Sequence, residues 1–532
     1  MSSGFLSIIL HAHLPYVRHP EYSRFFEENW LFEAITESYL PLLGMLERLE
    51  REDINYRLTL SLSPTLMTML TDDLLQARYL KHLQRLLELA EKEVIRTRQD
   101  RPYQKLARLY RRFFKKTLLD YQHKYQCDLL SAFKHYHNSG HLELITCAAT
   151  HGFLPLLSIS QTAVRNQIKI GIDTFKSYFG FNPSGFWLPE CAYYPGLEKL
   201  LAEFGINYFF VDSHGLMQAS PAPVNKVYAP VNCGNGVMAF ARDPESSTQV
   251  WSAQEGYPGD FDYREYYSDI GFDLDLDYIA PYILDDTIRI NTGIKYHRVT
   301  GGEQTKEIYD PRKARMKALR HAQDFIDKRQ QQLEQLTVTM DRPPIIVAPY
   351  DAELFGHWWF EGPYWLESVL KLANNSGQLS TVTCSDYLEV VSEHQIAMPS
   401  ASTWGDQGYF SYWLNETNDW IYPLLYKAET DMEKLASDLY GLAISRLQER
   451  ALNQAVRSIL LAQASDWPFI LKSGTAIDYA KKRLIDHLAR FNYLHDSIRK
   501  NRIDERYLTA LEIMDNIFPT IDFHDYRPRI QK

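Results

Sequence analysis

The chain has 532 residues, too many for one ordinary hydrophobic core, so more than one folded unit is expected. Hydrophobic residues at 45% and charged residues at 23% describe a globular protein and exclude a disordered one. A net charge of −10 excludes the basic surface that nucleic acid requires and disfavours a polyanionic substrate, while leaving a neutral polymer open.

The chain opens on FLSIIL, which runs straight into His11 and His13. It is too short for a membrane span and lacks the basic start and cleavage site of a signal peptide. It therefore reads as a strand, and no membrane partner is expected. Similar runs follow: RLTLSLS ends at Ser63, LELITC precedes His151, and GFWLP precedes Glu190. NYFFV ends at Asp212 and His214, VMAFA at Arg242, and PIIVAP at Asp351. Short runs buried on both faces read as parallel strands, and functional groups at their C-terminal ends are the signature of a β/α barrel. These runs make seven strands, with TVTCSD (381–386) a further candidate.

Residues 71–137 break the rhythm. After an N-cap at Thr71-Asp72-Asp73, leucines and Tyr79 recur at helical spacing, so a helical insertion is expected. A second excursion, 243–340, ends in a helix over 311–336. The segment 402–420 sets Trp404, Tyr409, Tyr412, Trp413 and Trp420 among small polar residues, which reads as an exposed aromatic platform. From Pro423 to Ile517 the pattern is helical. The expected division is a catalytic barrel over 1–395, interrupted by 71–137, and a mostly helical unit over 396–532 that contributes to the substrate cleft.

Five scattered cysteines without a C-x-x-C pair read as buried thiols of a reducing compartment, and a cytoplasmic location is expected. Aromatic residues reach 13%, which suits either a large core or a cleft on whose faces sugar rings stack. Glu190 and Asp351 each follow a strand beside aromatic residues. Two carboxylates on different strand ends of one barrel can flank a glycosidic bond, one attacking the anomeric carbon and the other protonating the leaving oxygen. His11 and His13 lie on one side of a strand, as metal ligands or as hydrogen-bond partners of sugar hydroxyls. His151 stands without a second histidine at helical spacing, which favours hydrogen bonding, so no metal and no cofactor is expected. Asp466 and Trp467 in SDWPFIL are candidates for the same cleft.

Taken together, HAHLPYVRHP, THGFLPLL, GFWLPECAY, APYDAELFGHWW and SDWPFI resemble, in order and over nearly the whole chain, the sequence blocks of glycoside hydrolase family 57. The resemblance is greatest to the branch of that family with 1,4-α-glucan branching activity. It implies an α/β fold, a (β/α)7 barrel with a helical insertion and a helical C-terminal domain, and a retaining, metal-independent reaction on an α-1,4-glucan. By the same resemblance Glu190 is the nucleophile and Asp351 the acid/base. His11, His13 and His151 surround the donor sugar, and Arg242, Trp251, Gly259, Trp404, Trp413 and Asp466 bind glucan. A mobile loop with a tyrosine tip corresponds to 214–236, with Tyr228 at the tip. A monomer is favoured. Three other functions share part of this pattern. An α-amylase-like hydrolase shares every one of these residues. A metal-dependent carbohydrate deacetylase needs an H-x-x-x-H pair after a strand, which the chain does not have. A non-catalytic glucan-binding protein would not need both carboxylates.

Overall fold

A computed structural model describes residues 4–252, 255–284, 288–301 and 305–528; parts of the 243–340 excursion lie outside the described residues. Nine strands form one sheet: β1 (Gly4–Ala12), β2 (Leu58–Leu62), β3 (Leu142–Cys147), β4 (Gly185–Trp187), β5 (Tyr208–Val211), β6 (Val231–Asn232), β7 (Met238–Ala241), β8 (Ile345–Asp351) and β9 (Leu379–Thr381). Seven run parallel in the order β8-β1-β2-β3-β4-β5-β7, as the apolar runs predict. The short β6 adds antiparallel to β7, and β9 pairs with the start of β1. The sheet curls until its ends meet, where Asp243 N donates to Val347 O at 2.8 Å.

TVTCSD is not a strand. The strand is β9, ending at Thr381, and Cys384–Val390 is a helix. Thr383 and Asp386 make a reciprocal capping box, a helix-start signal that overrides the β-branched flavour of the run.

The insertion is helical as expected. Asp72 caps the helix Asp73–Arg96, which packs against Arg101–Leu119 and is followed by Leu129–Asn138. Pro311–Thr339 is the long helix of the second excursion. Beyond residue 420 come Ile421–Asp438, Arg446–Ala462, Asp466–Ser473, Ile477–Arg499 and Glu505–Met514. Much of the aromatic content is core: Trp187, Trp359, Trp365, Trp413 and Trp467 are all fully buried. None of the five cysteines is in a disulfide, and four are buried. No helix among the described residues is long and apolar enough to cross a membrane.

Candidate active site

The C-terminal ends of the parallel strands open into a cavity of about 600 Å³. Ten of the twelve residues expected to act line it: His11, His13, His151, Glu190, Arg242, Trp251, Asp351, Trp404, Trp413 and Asp466.

Glu190 stands in a single turn after β4, with φ 62° and ψ 23°. His151 (φ 57°) and Cys191 (φ 49°) share this left-handed conformation, which costs a side-chain-bearing residue about 1–3 kcal/mol and persists only where the surroundings enforce it. Here an antiparallel bridge between Tyr193 and Ser402, and a bond from Trp404 N to the Glu190 carbonyl at 3.1 Å, clamp the turn to the 402–404 segment. The same segment supplies the Trp404 indole, whose Nε1–H donates to Glu190 Oε2 at 2.9 Å. Ser465 Oγ donates to Oε1 at 3.2 Å. Burial pushes the Glu190 carboxyl up to about 7, opposed chiefly by the Trp404 bond and further by His13 and Ser465.

Asp351 ends β8, in register beside His11. Burial, then the charges of Glu353 and Glu190, hold its carboxyl well above the ordinary range, with Arg242 alone opposing. Glu353 also lines the cavity and accepts a hydrogen bond from Tyr39. The turn carrying Asp351 and Glu353 lies tight against the helix of Tyr39. At Gly356 (φ +113°) a Cβ would stand 1.7 Å from the Glu37 carbonyl oxygen, so only glycine fits.

The three histidines differ in charge. Burial drives His11 and His151 well below the usual imidazole range, so both are neutral. Burial also pulls His13 down, but the charge and hydrogen bond of Asp466, with Glu190 and Glu353, outweigh it and raise its pKa. His13 Nε2 lies 3.1 Å from each Asp466 oxygen. His13, His151 and Asp466 each offer a ligand atom within 4.8 Å of the others. The His13 and His151 rings, however, stack 3.9 Å apart at 13°, so their in-plane lone pairs run side by side. They do not converge on a point about 2.0 Å from both, as a zinc site requires.

Three expectations need correction. Tyr228 is not over the cleft. Its carbonyl accepts from Ile345 N at 2.9 Å, at the start of β8, and its hydroxyl accepts from Gln332 at 3.1 Å. Asp351 lies at the other end of that strand, about 20 Å away at 3.3 Å per residue. The stretch 214–236, which includes β6, is the crossover that returns the chain from the top of β5 to the bottom of the sheet, where β7 begins, and it does not form a lid. Gly259 is an exposed residue ending a single turn, Tyr257–Gly259, away from the cavity wall. Trp413 is 1% exposed and stacks on Phe153 at 4.7 Å and 24°. It is a packed residue whose edge reaches the cavity, where an open platform was expected. Asp212 and His214, although at a strand end, do not line the cavity. Asp212 pairs with Arg242 at 2.8 Å, and His214 bonds Asp212 and the Gly408 carbonyl.

The sequence gives no sign of Ser465, and it places Glu353 and Trp358 close behind Asp351 without assigning either a role. Ser465 adjoins Asp466, and Glu353 and Trp358 follow Asp351 in the same block. Trp358 is 52% exposed, lines the cavity, and stacks on Tyr266 at 4.3 Å.

A curled parallel barrel, with two carboxylates of unlike environment in a cavity walled by histidine and tryptophan, defines a carbohydrate-cleaving class of site. Residues 7–399 match the model of glycosyl hydrolase family 57, and residues 424–526 match that of the 1,4-alpha-glucan branching enzyme C-terminal region. The chain belongs to glycoside hydrolase family 57. It is 36% identical to a 1,4-alpha-glucan branching enzyme of Thermococcus kodakarensis, over 97% of this chain and 77% of that protein. Among solved structures, the alpha-amylase AmyC from Thermotoga maritima is 45% identical, with a TM-score of 0.93 over 99% of this chain and 100% of that one. The branching enzyme from Pyrococcus horikoshii is 35% identical, with a TM-score of 0.89 over 99% and 97%.

Proposed function

We propose that the chain is a retaining 1,4-α-glucan branching enzyme. The observation that carries this reading is the origin of Ser465 and Asp466. The region matching the branching-enzyme C-terminal model sets Asp466 in the cavity wall against His13 and buries Ser465 beside it against Glu190. Glu190, with hydrogen-bond donors on both oxygens, is the nucleophile. Asp351, surrounded by negative charge, is the acid. Burial raises both carboxyls, but Glu190 has two hydrogen-bond donors that favour its charged form, whereas Asp351 has two neighbouring carboxylates that favour its protonated form.

In the first half-reaction Glu190 attacks the anomeric carbon of an α-1,4-glucan while Asp351 protonates the departing oxygen. Esterification removes the Glu190 charge, one of the influences that raised Asp351. The Asp351 carboxyl therefore becomes a stronger acid, and its conjugate base can take the proton from the 6-hydroxyl of an acceptor glucose. That hydroxyl attacks the glycosyl-enzyme and forms an α-1,6 branch. Trp251, Trp358 and Trp404 line the cavity, where aromatic rings can stack against sugar rings of the chain.

The likeness to AmyC favours a second reading, in which water is the acceptor and the products are shorter glucans. Both readings use the same carboxylates, and amylose separates them. Transfer yields new α-1,6 linkages with few new reducing ends. Reducing ends rising without branches would replace the first reading by the second.

A further inference from the structure

Both oxygens of Glu190 are held, but the donor on Oε1 is the end of something longer. Ser465 Oγ lies 3.2 Å from Glu190 Oε1 and 2.8 Å from His151 Nδ1. His151 Nε2 lies 3.0 Å from His11 Nε2, and His11 Nδ1 lies 3.1 Å from Ser61 Oγ. Ser61 is the register partner of His11 across β1 and β2, so the sheet itself fixes the far end. His11 is also stacked on Trp187 at 4.8 Å, which prevents its ring from turning away.

We propose that Ser61, His11, His151 and Ser465 form a one-way hydrogen-bond chain that ends on Glu190, and that Ser465 is the positioning residue through which it acts. This rests on the reading of Glu190 as nucleophile. The direction follows from donor inventory alone. An ionised carboxylate has no hydrogen to give, so Ser465 donates to it. The Ser465 hydroxyl hydrogen is then used, and His151 Nδ1 must carry the hydrogen of the next bond. A neutral imidazole has one N–H, so His151 Nε2 is a bare acceptor and His11 Nε2 must donate to it. His11 Nδ1 is then bare, and Ser61 donates. The two histidines are therefore fixed in opposite tautomers, Nδ1–H on His151 and Nε2–H on His11.

This direction suits the anion and also the glycosyl ester, whose carbonyl oxygen still accepts. It does not suit a protonated Glu190 that donates to Ser465, which would require every bond and both tautomers to reverse. The chain thus opposes protonation of the nucleophile without carrying a charge of its own. The ionisable groups facing Glu190 are His13 just after β1, His151 after β3, Asp351 from β8, Tyr412 from the 402–420 segment and Asp466 at the start of the helix Asp466–Ser473, with Arg242 after β7 in the same cavity. Cys191 adjoins it on the same turn, its thiol held neutral by burial.

The test is Ser465→Ala, with Ser465→Thr as the control that keeps a hydroxyl. Total glycosidic bonds broken are followed as kcat/KM against pH, a measure indifferent to whether the acceptor is sugar or water. Ser465→Ala is expected to lower kcat/KM by about ten- to a hundredfold and to move the acidic limb to higher pH, because Glu190 then protonates more readily. Ser465→Thr is expected to restore both. In parallel, ¹⁵N-histidine NMR of the wild type above that limb is expected to show opposite tautomers for His11 and His151, with the signals assigned from single variants. An acidic limb that stays in place in Ser465→Ala, or like tautomers on the two histidines, overturns the chain. Turnover surviving in Glu190→Gln overturns the nucleophile reading instead, and leaves the tautomer result as it stands.

Discussion

Trp413→Ala separates a packing role from a binding role for a ring that touches the cavity. Trp413 is 1% exposed, has one face on Phe153, and backs onto Gly405, where a Cβ would meet its ring at 2.5 Å. Its carbonyl also accepts a hydrogen bond from Tyr422. Deleting a buried tryptophan costs about 3–5 kcal/mol, because the void closes only in part. Unfolding entropy of about 2.1 cal/mol/K per residue gives about 1.1 kcal/mol per kelvin over 532 residues. The expected drop in Tm is therefore about 3–5 °C. Calorimetry at a fixed scan rate measures it, and glucan affinity is measured at 25 °C, well below the transition. Affinity is expected to weaken less than in Trp404→Ala, which removes a ring face from the cavity. An unchanged Tm with lost affinity would refute the packing argument and return Trp413 to the role of sugar platform.

The carboxylates give further outcomes. Trp404→Phe keeps a ring but removes the donor on Glu190 Oε2, so the acidic limb of kcat/KM is expected to rise while Tm changes little. Glu353→Gln removes a charge that raises Asp351, so the alkaline limb is expected to fall to lower pH; an unmoved limb would show that Glu353 does not act on the acid. Asp351→Asn is expected to lose turnover of amylose yet still be glycosylated by a donor with a good leaving group; failure of both points to a structural role. Glu190, at about 7 in the fold against an ordinary 4.5, binds its proton more tightly folded than unfolded. Stability from this group is present below pH 4.5 and lost as pH rises through 7. Glu190→Gln, which cannot ionise, is therefore expected to exceed wild-type stability by up to about 3 kcal/mol at pH 8, and to match it near pH 4. Equal stability at pH 8 would mean that burial does not penalise this charge.

The seven parallel strands were legible because each is a short apolar run ending at a polar side chain, and the two carboxylates because they occupy those ends. Topology explains why Tyr228 lies at the far end of the sheet from the cleft. Two adjacent parallel strands require a crossover from one end of the sheet to the other, and between β5 and β7 the stretch 214–236 makes it, so its Pro, Gly and Asn content marks a connection and not a lid. The burial of Trp413 is not legible locally because glycine and polar neighbours argue against a strand, not against burial; Phe153 arrives from 260 residues earlier. The Ser465 contact was invisible for a similar reason. Nothing local to SDWPF reveals that its serine meets a glutamate after β4.

The pairing of β1 with both β2 and β8 has a consequence for the timing of folding. On the ribosome β1 gains its first neighbour within about 50 residues, but Phe5 waits for Ile345, 340 positions later in the sequence. At about 5–20 residues per second that interval is roughly 20–70 s. Throughout it, one edge of an apolar strand has open backbone donors and acceptors, the kind of surface to which another nascent chain can add. The cavity takes longer still to complete, because Ser465 and Asp466 are made after both carboxylates. A chain arrested before residue 465 holds Glu190 and Asp351 but lacks Ser465 on one and the partner of His13.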